Sequence, residues 1–193
     1  RVVLTSGAQS GDSIILTKGI AIEGTAILAR EASDALIRAG LSSDVVDTAK
    51  SLLFSPGISV VEAARMACDT VNVHAMHDPT EGGLATGLHE LAHASGTGLS
   101  IDIGALPVLP QCERICAHLN LDPLGLIASG ALLIAAERRS TNDILRALSE
   151  AGINAVRFGN VVEACEGRLV TKRDGRTCEL PVFSRDEITR LFE

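Results

Sequence analysis

The chain has 193 residues and a mass of 20.1 kDa, the size of one ordinary domain. Hydrophobic residues make up 46% of it and charged residues 21%, which excludes a disordered tail, and no apolar run is long enough for a membrane span. Basic residues number 17 against 24 acidic ones, and Trp and Tyr are absent, so the composition argues against a nucleic-acid partner. We therefore expect a globular protein of the cytoplasm.

The cysteines support that compartment. There are five, an odd number, without a C-x-x-C pair or a signal peptide, which indicates reduced thiols. Cys112 and Cys116 lie one helical turn apart. Two interpretations remain for this pair, a shared metal or two small buried apolar side chains, and the second is favoured.

The first half of the chain alternates β-branched runs with helical segments. Strands are predicted over 2–4, 13–17 and 71–77, and helices over 24–40, 43–53 and 59–69. Ser59 followed by Glu62 has the spacing of a capping box at the start of the third helix.

The second half continues the alternation and ends in an antiparallel unit. Strands are predicted over 99–103, 130–136 and 154–162, and helices after 78–83, over 111–119, over 141–151 and from Ser184 to the end. Asp174-Gly175 predicts a hairpin between 168–173 and 176–182. The pattern predicts an α/β (α+β) fold in which a mixed β-sheet is packed with helices.

The segment from His77 to Gly83, HDPTEGG, is the most informative for function. A strand ends there, the chain turns on small residues, and a helix begins, which predicts free backbone N–H groups facing a ligand. Asp78 suits Mg²⁺ or a proton-accepting role, and Thr80 suits a phosphate. The alternative is structural, because Asp78, Pro79 and Glu81 also fit the N-cap, N1 and N3 positions of an ordinary helix start.

A second glycine-bearing connection follows the strand at 13–17. Lys18 is its predicted phosphate-facing residue, with a solvated lysine as the alternative. The segment lacks the spacing of a P-loop or of a dinucleotide fingerprint. The candidate phosphate- or substrate-binding residues of the two segments are Thr17, Lys18, Gly19, Gly24, His77, Asp78, Thr80, Glu81, Gly82 and Gly83.

Histidines offer two further hypotheses. His89 to His93 reads H-E-L-A-H, the spacing of a zinc hydrolase on a helix. Helical geometry places both imidazoles away from the leucine stripe of that helix and toward solvent, which argues against a metal site. His74 and His77 are expected on opposite faces of their strand, so they do not form a ready metal pair. For His77 we favour a ring held by backbone groups over a functional role.

These motifs together resemble a known family. The stretches GAQSGD at 7–12, EGTAILA at 23–29, HDPT with GGLA at 77–85, and DPL with SG at 122–130 are similar to the C-terminal domain of AIR synthase-related proteins. The family includes aminoimidazole ribonucleotide synthetase, selenophosphate synthetase, thiamine-monophosphate kinase and the hydrogenase-maturation protein HypE. The order of the motifs is kept along the whole chain, and the DPTxGG form most resembles the HypE branch.

The resemblance implies a PurM-like fold and a cytoplasmic, ATP- and Mg²⁺-using enzyme of two domains. In such enzymes the N-terminal domain carries most nucleotide and metal ligands and most of the homodimer interface. We expect that domain to be absent here, with residues 1–193 forming a single C-terminal domain. By position, 17–24 and 78–83 would close the cleft, and the domain alone would be inactive. The resemblance also implies that the H-E-x-x-H match holds no zinc.

Two departures leave the activity open. Glu81 stands where HypE proteins have Arg, which reverses the charge at a phosphate contact. The chain ends at Phe192-Glu193 and lacks the terminal cysteine of HypE, so we expect a related enzyme of unassigned substrate. Three functions follow in order of preference. They are the C-terminal domain of an ATP-dependent enzyme, a non-catalytic binding or regulatory domain of the same fold, and a zinc hydrolase.

Overall fold

The computed structural model describes residues 2–191, and within them seven strands form one sheet. The strands are β1 Asp12–Thr17, β2 Val73–His77, β3 Gly98–Asp102, β4 Leu133–Glu137, β5 Ala155–Val162, β6 Arg168–Thr171 and β7 Thr177–Glu179. Their spatial order is β2-β4-β1-β5-β3-β6-β7. β3 and β6 pair in parallel and the other neighbours are antiparallel, so the predicted mixed sheet is confirmed.

Seven α-helices pack on this sheet in the described part of the chain. They are α1 Ile22–Glu31, α2 Ser33–Arg38, α3 Ser43–Ser51, α4 Val61–Thr70, α5 Gly83–Ser95, α6 Pro110–Leu119 and α7 Thr141–Glu150. Between residues 2 and 191, no helix combines the length and the apolar character needed to cross a bilayer. The single helix predicted over 24–40 is divided at Ala32, whose backbone leaves the helical region.

Helices cover both faces of the sheet because alternate residues of β1 point to opposite sides. Ile14 and Leu16 belong to the larger core, to which α1, α3, α5 and α6 contribute their apolar side chains. Ile15 belongs to the smaller core, which α4 and α7 cover. All six residues of β1 are buried, so this strand lies at the centre of the molecule.

Several local predictions are wrong at the ends of elements. Residues 2–4 form no strand, and Val2 and Leu4 are largely exposed, because no neighbouring strand pairs with them. The helix α4 begins after Val60 without a side-chain cap, so Ser59 and Glu62 form no capping box. The final α-helix is a short 3-10 helix, Glu187–Leu191. Arg1 and the Phe192-Glu193 terminus lie outside the described residues.

Candidate functional site

The sheet topology brings the two glycine-bearing segments to one edge. β1 and β2 are both antiparallel to β4, which lies between them, so they run in the same direction. Their last residues reach the same level, because Leu16 of β1 and His77 of β2 both pair with Leu133. The segments 17–24 and 78–83 therefore leave the sheet side by side. This edge, with the first turn of α1, is the candidate site.

Lys18 begins the first segment in a left-handed conformation, with φ of 60°. Its Nζ donates hydrogen bonds to the carbonyl oxygens of Gly57 and Ser59, at 2.9 and 2.7 Å. Burial lowers the pKa of the ammonium group, against the opposing effect of the Glu62 and Asp78 carboxylates. Lys18 is therefore not the freely solvated lysine of the alternative interpretation. Its ammonium group binds the segment 57–59 beside the site.

Asp78 lies within electrostatic range of Lys18, His77 and Glu23. Partial desolvation raises the pKa of its carboxyl group and Glu23 adds to the rise, while His77 and Lys18 oppose it. No hydrogen bond to this carboxylate is formed by the residues that the structure describes. The Asp78 carboxylate is thus partly desolvated, with the Lys18 ammonium group and the Glu23 carboxylate nearby.

The second segment is a compact loop rather than the first turn of a helix. α5 begins at Gly83, after Gly82 in a left-handed conformation, so the helix-cap interpretation of Asp78 and Pro79 is wrong. The Thr80 carbonyl accepts the N–H groups of Gly83 and Ala128, both at 3.1 Å. These bonds fasten the loop to the chain that leads into β4.

The exposed tip of this loop carries Thr80 and Glu81. The backbone N–H of Glu81 and the Thr80 hydroxyl donate to the Glu81 carboxylate and lower its pKa. Glu81 is consequently ionised at neutral pH. The loop therefore carries a negative charge at its exposed tip.

The other predicted residues of the two segments make internal contacts. The Thr17 hydroxyl is buried and accepts the N–H of Leu132 at 3.1 Å. A Cβ at Gly24 would lie 2.5 Å from Leu126 Cγ, and one at Gly83 would lie 2.4 Å from the Leu124 oxygen. These glycines permit close packing of α1 and α5 against the loop before β4.

The backbone N–H groups of these glycines are also engaged, contrary to the expectation of free donors. Gly19 donates to Thr17 O at 2.8 Å and Gly24 to Ile127 O at 3.2 Å. Gly83 bonds to Thr80 O, as described above, and Gly82 donates to a carboxylate of the C-terminal segment. The glycines shape the loops rather than offer an anion site of unpaired N–H groups.

That carboxylate belongs to Asp186, a residue that the sequence interpretation missed. It accepts the N–H groups of Gly82 at 2.7 Å, Ile127 at 3.2 Å and Ile188 at 2.9 Å. It therefore joins three segments at the N-terminus of α5, where a negative charge is favourable. Because Asp186 and Gly82 are 104 residues apart in sequence, no local pattern indicates their contact.

Within the described part of the chain, the His77 ring at the end of β2 is held by side chains and not by backbone groups. Its Nε2 lies 2.8 Å from a Glu90 carboxylate oxygen, and its Nδ1 lies 3.4 Å from the Thr5 hydroxyl. His74 contacts the buried Asp12 carboxylate through Nδ1 at 2.9 Å. The two rings thus have separate partners, and that they form no metal pair stays a prediction.

The two histidines of the H-E-x-x-H match are in different environments. His93 is exposed, as predicted, but His89 is half-buried, which corrects the expectation that both face solvent. The His89 ring contacts the Pro181 carbonyl through Nε2 at 3.2 Å and the Arg168 guanidinium through Nδ1 at 3.0 Å. Both nitrogens of His89 therefore already have protein partners. That this match holds no zinc stays a prediction.

The comparisons with known proteins decide the family. The model of the AIR synthase related protein C-terminal domain matches residues 9–172. The chain belongs to this family. Carbamoyl dehydratase HypE of Cupriavidus necator is 34% identical over 163 residues. A hydrogenase expression/formation protein of Methanocaldococcus jannaschii is 30% identical over 179 residues.

Solved structures agree with this assignment. The crystal structure of Escherichia coli HypE superposes with a TM-score of 0.79 at 27% identity, and it covers 98% of this chain. The chain corresponds to 55% of that protein, and to 42% and 50% of the two relatives above. It thus spans about half the length of the relatives it matches. The PurM-like fold and the HypE-like resemblance are confirmed.

Proposed function

We propose that this AIR synthase-related domain forms one wall of a Mg²⁺-ATP site in an ATP-dependent enzyme of the hydrogenase-maturation type. The remaining wall would be an N-terminal domain of a longer, cytoplasmic protein. The observation that carries the proposal is the convergence of Lys18 and Asp78 at one edge of the sheet, where no residue between 2 and 191 hydrogen-bonds to the Asp78 carboxylate. A cation beside a hard oxygen ligand is the pairing that a metal-nucleotide requires.

Two solved neighbours support the nucleotide. One is a HypE structure in complex with ATP, with a TM-score of 0.69 at 24% identity. The other is a thiamine monophosphate kinase in complex with AMPPCP and TMP, with a TM-score of 0.65 at 20% identity. These likenesses establish a shared fold, and ATP is a property of those proteins. We extend it to this chain as a proposal.

The residues at the edge fit a magnesium-bound phosphate chain. Asp78 and Glu23 supply carboxylate oxygens, the ligands that Mg²⁺ prefers. The metal, when bound, would neutralise phosphate charge. Asp78 would hold it, and Lys18 would balance the two carboxylates while it fixes the segment 57–59.

An exposed apolar patch beside Lys18 supports a further protein surface at this edge. The patch consists of Phe54, Ile58 and Val61, whose exposed fractions are 78%, 40% and 62%. Clustered apolar residues of this kind commonly mark protein contacts. We propose that the N-terminal domain, in the same subunit or in a homodimer, covers the patch. One neighbour was solved as a HypE–HypF complex, so a maturation protein is a second class of partner.

A non-catalytic binding domain is the alternative function, and Glu81 favours it. Its carboxylate is exposed and ionised, and it would repel the phosphates of a nucleotide. An exchange of Glu81 for Arg therefore separates the alternatives. We expect Glu81→Arg to tighten ATP binding if this loop faces phosphate, and to leave it unchanged if the loop faces a protein.

Nucleotide binding by the full native gene product tests the proposal. The mass of the gene product is measured first, to show whether it contains a further domain. Calorimetry then compares the affinity for Mg²⁺-ATP of the wild type, of Asp78→Asn and of the control variant Asp47→Asn. Asp47 is an exposed carboxylate of α3 that pairs with Lys50. We expect at least tenfold weaker binding for Asp78→Asn only. Absence of ATP binding would refute the ATP site, whereas equal binding by both variants would refute the role of Asp78.

A further inference from the structure

A cavity of about 570 Å³ lies outside the candidate site, between α6, the β6–β7 hairpin and the loop at 121–124. Its floor consists of buried Ile20, Leu106, Cys116, Leu121 and Val170. Neither Lys18 nor any residue of 78–83 lines it. Its function is therefore a separate question from that of the Mg²⁺-ATP site.

The lining is mainly apolar, and it includes two thiols, the buried Cys116 and the exposed Cys178. The contact with Cys112 and burial raise the pKa of Cys116 above its ordinary value, so the thiol is neutral. Half-buried Ile103, Val108 and Leu124 form the walls and belong to the edge of the large core. Protein interiors are normally close-packed, and an apolar space of this size is typical of small-molecule sites.

Two adjacent cations stand at the hairpin end of the cavity. Lys172 and Arg173 both line it, and the side chains of the described residues offer neither of them an ion pair or hydrogen bond. Arg176, on the same hairpin, is instead paired with Asp174 at 2.6 Å. Lys172 also lies within electrostatic range of the Asp174 carboxylate, but the described residues form no short ion pair with Lys172 or Arg173, so both cations can still contact a ligand.

The carboxylates of the rim are dispersed. Glu113 comes from α6, Asp122 from the loop that follows, and Glu179 from β7. Asp122 already accepts the N–H of Leu124 at 2.9 Å. Because only the cations are adjacent in the chain, an anionic group is best accommodated at the hairpin end. The apolar part of a ligand would then lie over Leu121 and Leu124.

We propose that this cavity binds a small amphipathic anion, with its apolar body on the core side and its carboxylate or phosphate on Lys172 and Arg173. A medium-chain fatty acid has this chemistry. Decanoate is therefore a suitable probe, and decanol and decylamine are matched probes without the negative charge. We expect affinities in the order decanoate, decanol, decylamine.

Titrations of the ¹⁵N-labelled chain with each probe, below micelle-forming concentrations, test this inference. We expect decanoate to bind saturably and to shift the amide signals of Leu121 and Val170. The double variant Lys172→Gln/Arg173→Gln should bind decanoate at least tenfold more weakly. Arg176→Gln is the matched control and should bind as the wild type does. Val108→Phe, which fills the wall, should also weaken binding, and circular dichroism verifies that each variant is folded.

Four results would overturn the inference, and the first three concern the cavity itself. They are the absence of saturable shifts at the cavity, decylamine binding as tight as decanoate binding, and unchanged affinity in the Lys172/Arg173 double variant. Shifts confined to Phe54 and its neighbours would equally contradict it, because they would show non-specific binding to the apolar patch. None of these results bears on the Mg²⁺-ATP proposal, which rests on different residues.

Discussion

Removal of the Asp186 carboxylate should loosen the loop at 78–83 and destabilise the domain. The carboxylate accepts three backbone N–H groups, two of which belong to Gly82 and Ile127, far away in the sequence. A hydrogen bond to a charged group contributes about 1.5 to 3 kcal/mol, and a helix N-cap typically about 1 kcal/mol. Since water can reach part of this segment, we expect Asp186→Ala to lower the free energy of unfolding by about 3 kcal/mol.

Urea denaturation followed by circular dichroism measures this loss. For a chain of this size about 3 kcal/mol corresponds to a fall in Tm of roughly 6 to 12 °C. Asp186→Asn retains one acceptor oxygen and should lose about half as much. Asp174→Ala is the control. Asp174 pairs with Arg176 on an exposed hairpin, so this substitution should leave the free energy of unfolding nearly unchanged.

Amide exchange locates the effect. Gly82 N–H should exchange at least tenfold faster in Asp186→Ala, whereas amides in the middle of β1 should change only with global stability. A variant as stable as the wild type, with unchanged exchange at Gly82, would refute the argument that Asp186 holds the loop. A uniform loss without local acceleration at Gly82 would refute it as well.

Three further predictions concern the same edge. Gly24→Ala should destabilise the domain by about 1 to 3 kcal/mol in urea unfolding, because its Cβ meets Leu126 and the Ile127 oxygen; an unchanged midpoint would contradict this packing. Lys18→Gly should be about 1 kcal/mol more stable than Lys18→Ala, since only glycine relieves the positive φ; equal stabilities would argue against strain. The raised pKa of Asp78 means that the folded state binds the proton more tightly, so stability should fall as pH rises from the ordinary pKa through the raised one. Asp78→Asn should remove that fall and be the more stable protein at pH 7, as thermal unfolding across pH can verify.

Elements with strong local signals could be predicted from the amino-acid sequence. The leucine stripe Leu84, Leu88 and Leu91 is fully buried on α5, and Asp174-Gly175 forms the expected hairpin. Hydrophobic periodicity and turn motifs involve residues only a few positions apart, so they can be recognised in the sequence alone. The family motifs also fixed the fold class, because their order holds over most of the sequence.

Weaker local signals failed where tertiary contacts compete. Asp78 and Pro79 satisfy the rules for a helix start, yet α5 begins at Gly83, since Thr80 and Asp186 hold the loop by bonds to distant segments. Residues 2–4 have strand propensity but no pairing strand. Propensity is a small energy that packing and pairing override.

The set of residues that meet at the site depends on the tertiary fold. The position of β4 between β1 and β2 brings Lys18 and Asp78 to one edge, although 60 residues separate them in sequence. Strand order depends on contacts between distant segments, which no local pattern specifies. The Asp186 contact and the cavity beneath the hairpin could not be predicted from the sequence either, because both arise from elements that meet only in the folded chain.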